Sequence, residues 1–156
     1  MNTLRMTLLS VAFVLGASFA PVVSAQQPGA QKSLYDRLGG LKGITVVVDD
    51  FINRLVANKQ LNKNPAINAG RKSAPAPYLK FQVSQMVCGV TGGPCKYTGM
   101  DMTAAHKGRA VTSEAFGAVA EDLSSLLDQL KVPAKEKAEV MTLVGSLKPS
   151  IVQSSK

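Results

Sequence analysis

Four stripes of apolar residues at helical spacing, parted by two breaks rich in proline and glycine, constrain this chain more than anything else in it. Ile44, Val47, Val48, Phe51 and Leu55 recur every three or four positions, and so do Leu79, Val83, Met86, Val87 and Val90. Phe116, Val119, Leu123, Leu126, Leu127 and Leu130 form a third stripe, and Val140, Leu143, Val144, Leu147 and Ile151 a fourth. Thr112-Ser113-Glu114 opens the third with a hydroxyl that can cap and an acid that suits the helix dipole. Pro133 stands where the fourth helix can begin. Leu61 to Pro77 (LNKNPAINAGRKSAPAP) holds Pro65, Pro75 and Pro77, which excludes one long helix there. Thr91 to Gly99 (TGGPCKYTG) is turn chemistry throughout. The short run Val46-Val47-Val48 is absorbed by the surrounding helical period, so the expected class is all-α.

The beginning of the chain belongs to a different category. MNTLRMTLLSVAFVLGASFAPVVSA carries one early basic residue, Arg5, then an apolar run to about Ala20, then Val23-Ser24-Ala25 as small residues for cleavage. These are the three parts of a secretory signal. The alternative is an uncleaved anchor, against which stand the shortness of the run and Pro21 within it. Residues 1–25 are therefore expected to be a signal peptide, 26–32 (QQPGAQK) a flexible lead-in, and 33–153 one folded domain. The expected location is periplasmic or secreted, with no membrane span after the signal is removed. The formal charge of +8 is scattered along the chain rather than gathered into a basic stripe with interleaved aromatics, so no nucleic-acid partner is expected. A solvated basic surface is the plain explanation, with an anionic partner as the alternative.

The only histidine is His106. A lone histidine among Met102, Ala105, Val111 and Phe116 is either a structural hydrogen-bonder or a ligand. Zinc needs three or four nitrogen or sulfur ligands, which one histidine and two distant cysteines do not supply. Haem iron can be held by a single proximal histidine, with a buried macrocycle providing the rest. Cys88 and Cys95 lie seven positions apart. In an oxidising compartment such a pair suggests a disulfide, closing a loop worth about 2.5 kcal/mol by the chain-entropy relation. It requires the helix to stop near Val90; two free thiols, with Cys88 a small buried hydrophobe, are the other possibility.

In this setting the chain resembles the truncated haemoglobins of group 1. The resemblance rests on SLYDRLGGLKGITVVVDDFINRL (Ser33 to Leu55), on Gly92-Gly93-Pro94 followed by Tyr97-Thr98-Gly99, and on Met102 four residues before His106. Arg109-Ala110-Val111-Thr112, with Phe116 beyond, completes it. It implies a two-over-two helical globin with noncovalent haem b and His106 on the iron. Phe51, Met86, Val87, Met102, Val111, Phe116 and Val119 would line the cofactor. Tyr97 and Lys96, with Arg109 and Lys80 as weaker candidates, would reach its two carboxylates. Covalent attachment through Cys-x-x-Cys-His is absent.

The distal side departs from that family. Ile52 stands where many members have a tyrosine that donates to bound oxygen, and Leu79 and Val83 fall at the two pocket positions of the next distal helix. Helical spacing is read as turning Tyr78, Gln82 and Gln85 away from Leu79 and Val83 or to their flank. The wedge phenylalanine is replaced by Pro65 or a neighbour in KNPAIN. A hydrogen bond to a charged group contributes about 1.5–3 kcal/mol, so an all-apolar wall would weaken oxygen retention roughly ten- to a hundredfold. The expected function is binding of oxygen, nitric oxide or carbon monoxide for detoxification, sensing, transport or electron transfer with a redox partner. The alternatives are nitric oxide dioxygenase or peroxidase-like activity, or a haem-free module with a basic surface.

Overall fold

The computed structural model describes residues 31–153; the expected signal peptide (1–25) and most of the lead-in lie outside the described residues. Every regular element among the described residues is a helix, in agreement with the expected class: α1 Leu34–Arg37, α2 Gly40–Ala57, α3 Lys59–Asn62, α4 Pro65–Ser73, α5 Ala76–Val90, α6 Met102–His106, α7 Ser113–Gln129, α8 Ala134–Ser146 and α9 Lys148–Ile151. No described helix is long and apolar enough to cross a membrane.

Local chemistry explains where these helices begin. Ser33, Asn58, Asn64, Asp101 and Thr112 each accept a hydrogen bond from a first-turn backbone N–H, opening α1, α3, α4, α6 and α7. Such a cap is worth about 1 kcal/mol. The proline-rich stretch from Leu61 to Pro77 is more helical than its composition suggests. Pro65 sits in the first turn of α4, Pro75 is the N-cap of α5 and Pro77 lies in its first turn. At those places a proline has no intrahelical bond to forfeit, so it ends one helix and starts the next. The fourth stripe is divided: α8 stops at Ser146, and Ile151 belongs to α9, whose first turn holds Pro149. Val90, read as the end of the second stripe, is 59% exposed as the last residue of α5, although Cys88 in the same turn is buried. Leu130, at the C-cap of α7, is likewise exposed.

Packing joins the helices in pairs. α2 lies on α5, α7 lies on α8, and α2 also meets α7, which gives the two-over-two sandwich. Between α2 and α5 the core is Ile44, Val48, Ile52 and Cys88, flanked by Phe51, Leu55, Leu79, Val83 and Val87. On the other pair Leu123, Leu126 and Leu127 are buried. Short α6 packs against α9, and a bond from the Gln153 backbone N–H to the Val111 carbonyl (2.9 Å) ties the end of the domain to the segment behind it.

Candidate functional site

The two helix pairs enclose a cavity of about 760 Å³, within the range of small-molecule and cofactor sites. Its walls contain His106 and eleven of the other residues singled out from the sequence. α2 contributes Phe51 and Ile52, and α5 contributes Leu79, Val83, Met86 and Val87. The connection to α6 contributes Tyr97, α6 itself Met102 and His106, and the far pair Val111, Phe116 and Val119. The lining is apolar because each helix turns its hydrophobic stripe inward.

His106 is half-buried at the end of α6, which starts where Asp101 Oδ1 accepts the Ala104 N–H at 2.9 Å. Its Nδ1 lies 2.9 Å from the Met102 carbonyl oxygen. A carbonyl only accepts, so Nδ1 carries the proton and Nε2 keeps a free lone pair. A hydrogen bond on the far ring nitrogen of this kind fixes the tautomer and orientation of an imidazole whose other nitrogen can ligate a metal. The bond spans one helical turn, a physical reason for the Met102–His106 spacing. Among the described residues no three His, Cys, Asp or Glu side chains come together as a metal site.

The polar residues of α5 correct the sequence reading. Gln82 lines the cavity, with its Oε1 buried and without a hydrogen-bond partner. It lies three residues after Leu79 and four before Met86, on the same stripe rather than off it. Tyr78 lines the cavity from an exposed position at its rim, and Gln85 is not in the lining. The distal wall is therefore not wholly apolar. Pro65 is exposed on the outside of α4, and it is Ile67, with Leu61, that reaches the cavity from this region. The N1 position fixes the proline, and one short turn later the helix presents an apolar side chain inward.

The four residues expected near the cofactor's carboxylates fare differently. Lys80 is held by Asp49 at 2.6 Å, and Lys96 is exposed outside the lining. Tyr97 lines the cavity, but its hydroxyl donates to the Met100 carbonyl at 2.6 Å. Burial, with smaller contributions from Tyr78 and Asp101, raises the phenol above its ordinary value, so it stays protonated. Arg109 is in the lining, its guanidinium flat against Gly70, where a β-carbon would stand 2.6 Å from Cζ. Arg71 lines the cavity too, with Nη2 donating to the Leu55 carbonyl at 2.6 Å. Sequence reasoning missed Arg71 and Ile67 because both lie in the proline-rich stretch, where no apolar register told inside from outside. Cys88 and Cys95 form a disulfide, which resolves the alternative that the sequence left open.

With this geometry established, similarity to known proteins is extensive. The family model described as bacterial-like globin matches residues 33–153. The group 1 truncated hemoglobin GlbN of Mycolicibacterium paratuberculosis is 34% identical over 120 residues, spanning 76% of this chain and 83% of that protein. The protein of the same description from Synechocystis is 30% identical over 120 residues, spanning 73% and 90%. The fold matches the crystal structure of truncated hemoglobin from Tetrahymena pyriformis in its Fe(III) form, with a TM-score of 0.68 at 23% identity over 79% of this chain and all of that one. It also matches a Synechococcus 2/2 hemoglobin in the cyanomet state with covalently attached heme, with a TM-score of 0.64 at 27% identity over 75% and 94%.

Proposed function

Because the chain belongs to the bacterial-like globins, in their truncated group 1, we propose that it holds haem b noncovalently in this cavity and binds diatomic gases there. Haem, when bound, would supply an iron that an imidazole can ligate and that can take up a diatomic gas. The observation that carries this reading is His106: it lines the cavity, and the Met102 carbonyl occupies Nδ1, leaving Nε2 to ligate. Phe51, Met86, Val87, Met102, Phe116 and Val119 would exclude water from the macrocycle. Arg37, Arg71, Arg109 and Lys131 are the cations of the lining. Arg37 is engaged by Glu136 and Glu139, which leaves Arg71, Arg109 and Lys131 for the two carboxylates. A noncovalent hold is favoured because the two cysteines are joined to each other and the chain has no second histidine.

Gln82 gives this reading its chemistry. A buried amide without a partner is costly, and a ligand that fills its hydrogen-bonding capacity recovers that cost. Rotated about its last torsion, the same amide presents an N–H toward the cavity, the donor that bound oxygen favours over carbon monoxide. Oxygen retention above that of an apolar pocket follows. The same donor favours nitric oxide dioxygenation as a second reading, which nitrate formation from nitric oxide and oxygen would test. Peroxidase chemistry finds less support, since the sole histidine is already engaged. The bridge between Cys88 and Cys95 agrees with an oxidising compartment, to which the signal expected in residues 1–25 would lead.

The test is reconstitution of the full chain with haem. One haem per chain with an intense Soret band is expected, as is loss of most of that band in His106→Ala. In His106→Gly, added imidazole should restore it. A wild-type chain that takes up no haem, or a His106→Ala variant with an unchanged spectrum, overturns the reading in favour of a haem-free module.

A further inference from the structure

The disulfide joins the end of α5 to the connection that leads to α6, and its surroundings give it a specific task. Cys88 is in the last turn of α5, 0% exposed among Ile44, Val48 and Ile52. Cys95 lies in the connection that leads to α6. Backbone bonds draw this connection in as far as the bridge: the Gly93 N–H reaches the Cys88 carbonyl at 2.8 Å, and the Tyr35 N–H reaches that of Thr91 at 2.9 Å. Gly93 passes so close that a β-carbon would stand 2.7 Å from the Cys88 sulfur and 2.5 Å from the Tyr35 ring. Beyond Cys95 the chain folds on itself through the Tyr97 hydroxyl and the Met100 carbonyl, and Asp101 then starts α6.

Apart from its packing on α9, α6 has little of its own to hold it. It is five residues long and buries none of them, and a helix so short does not persist alone. Its placement depends on what is attached at either end, and upstream the covalent attachment is Cys95. We propose that the Cys88–Cys95 bridge is a permanent brace that ties the proximal helix to the distal helix and so positions the His106 imidazole. It is not a redox switch. This rests on the reading of His106 as the iron ligand; Cys88 and Cys95 are positioning residues, acting through α6. Permanence follows from burial. Reduction by a dithiol needs two electrons and two protons, begins by attack on one sulfur and must expel the other as a thiolate. Cys95, the less buried partner, is the approachable sulfur. The leaving thiolate would then be that of Cys88, an anion in an apolar core and a poor leaving group.

The experiment compares the full-length bridged chain with Cys88→Ala/Cys95→Ala, each loaded with haem. In the ferrous, ligand-free form the iron–histidine stretching band should shift and broaden in the variant, and haem transfer to excess apomyoglobin should quicken roughly tenfold, equivalent to about 1.4 kcal/mol. In the haem-free proteins, amide exchange at Ala104–His106 should accelerate more than at Leu126, which reports opening of the whole fold. An unchanged band together with proportionate exchange at both places overturns the brace while leaving the haem reading intact. A bridged chain that takes up no haem overturns the haem reading instead. If the double variant fails to fold, the wild-type chain treated with excess dithiothreitol decides: thiols should be released only on the timescale of unfolding. Their release within minutes from a folded, haem-loaded chain would overturn permanence.

Discussion

Gln82 is the single side chain that most changes the meaning of the cavity. Its Oε1 is buried without a partner, so Gln82→Leu should have opposite effects in the two forms of the protein. In the haem-free chain it removes an unsatisfied polar group and should raise stability by about 1 kcal/mol, read as a higher denaturation midpoint. In the haem-loaded chain it removes the donor, and oxygen should leave roughly ten- to a hundredfold faster, with carbon monoxide release changed far less. Stopped-flow displacement checks both rates. Equal changes for the two gases would remove Gln82 from the role. The position was legible in the sequence, since Gln82 follows Leu79 by three, yet a polar residue on an apolar stripe is easily read as lying beside it. His106 stood out as the sole histidine, but the sequence left open whether it bonds structurally or ligates, and its role at iron was implied by the family resemblance.

Helix ends decide how α4 and α6 sit around the cavity. Asn64 has two functions: its Oδ1 accepts from the Ala66 and Ile67 N–H groups to open α4, and its Nδ2 donates to the Arg109 and Ala110 carbonyls, at 3.0 and 3.2 Å. It thereby couples α4 to the backbone just past His106, where Ala110 is held at φ 49° in the left-handed region. Asn64→Ala should cost about 1–2 kcal/mol for the lost cap and also speed haem loss, measured by thermal melting and by transfer to apomyoglobin. Arg37, the last residue of α1, donates to Glu136 and Glu139 of α8, each at 2.5 Å. Hydrogen bonding from Arg37 holds both carboxyls below their ordinary value of 4.5. A lowered carboxylate stabilises fully above that value, and the contribution is lost as pH falls through the depressed one. The melting temperature should therefore hold from pH 7 to about 5 and drop below about 4.5, and Arg37→Met should flatten that drop.

At the scale of the whole molecule, the cavity separates two helix pairs, so haem would act as a third layer of the core. A ligand present at a thousandfold its dissociation constant stabilises by about 4 kcal/mol, and reconstitution should raise the melting temperature by several degrees for a domain of this size. Calorimetry of haem-free and loaded protein checks this; coincident melts would mean that the cofactor adds nothing to the packed core. What the sequence determined alone was local. Apolar residues three and four apart, side-chain caps, and prolines that a first turn tolerates are short-range matters, so the α-helical class and the main helices with their apolar stripes were readable. That Tyr97, Met102, His106 and Val111, outside those stripes, belong to the lining was implied only by the family resemblance. What only the tertiary structure decided was long-range: that Ile67 and Arg71 come in from the proline-rich stretch, that Lys80 is drawn away to Asp49, and that Cys88 pairs with Cys95. Which side chain reaches the cavity there depends on how segments far apart in the chain pack together, and no period within one segment encodes that.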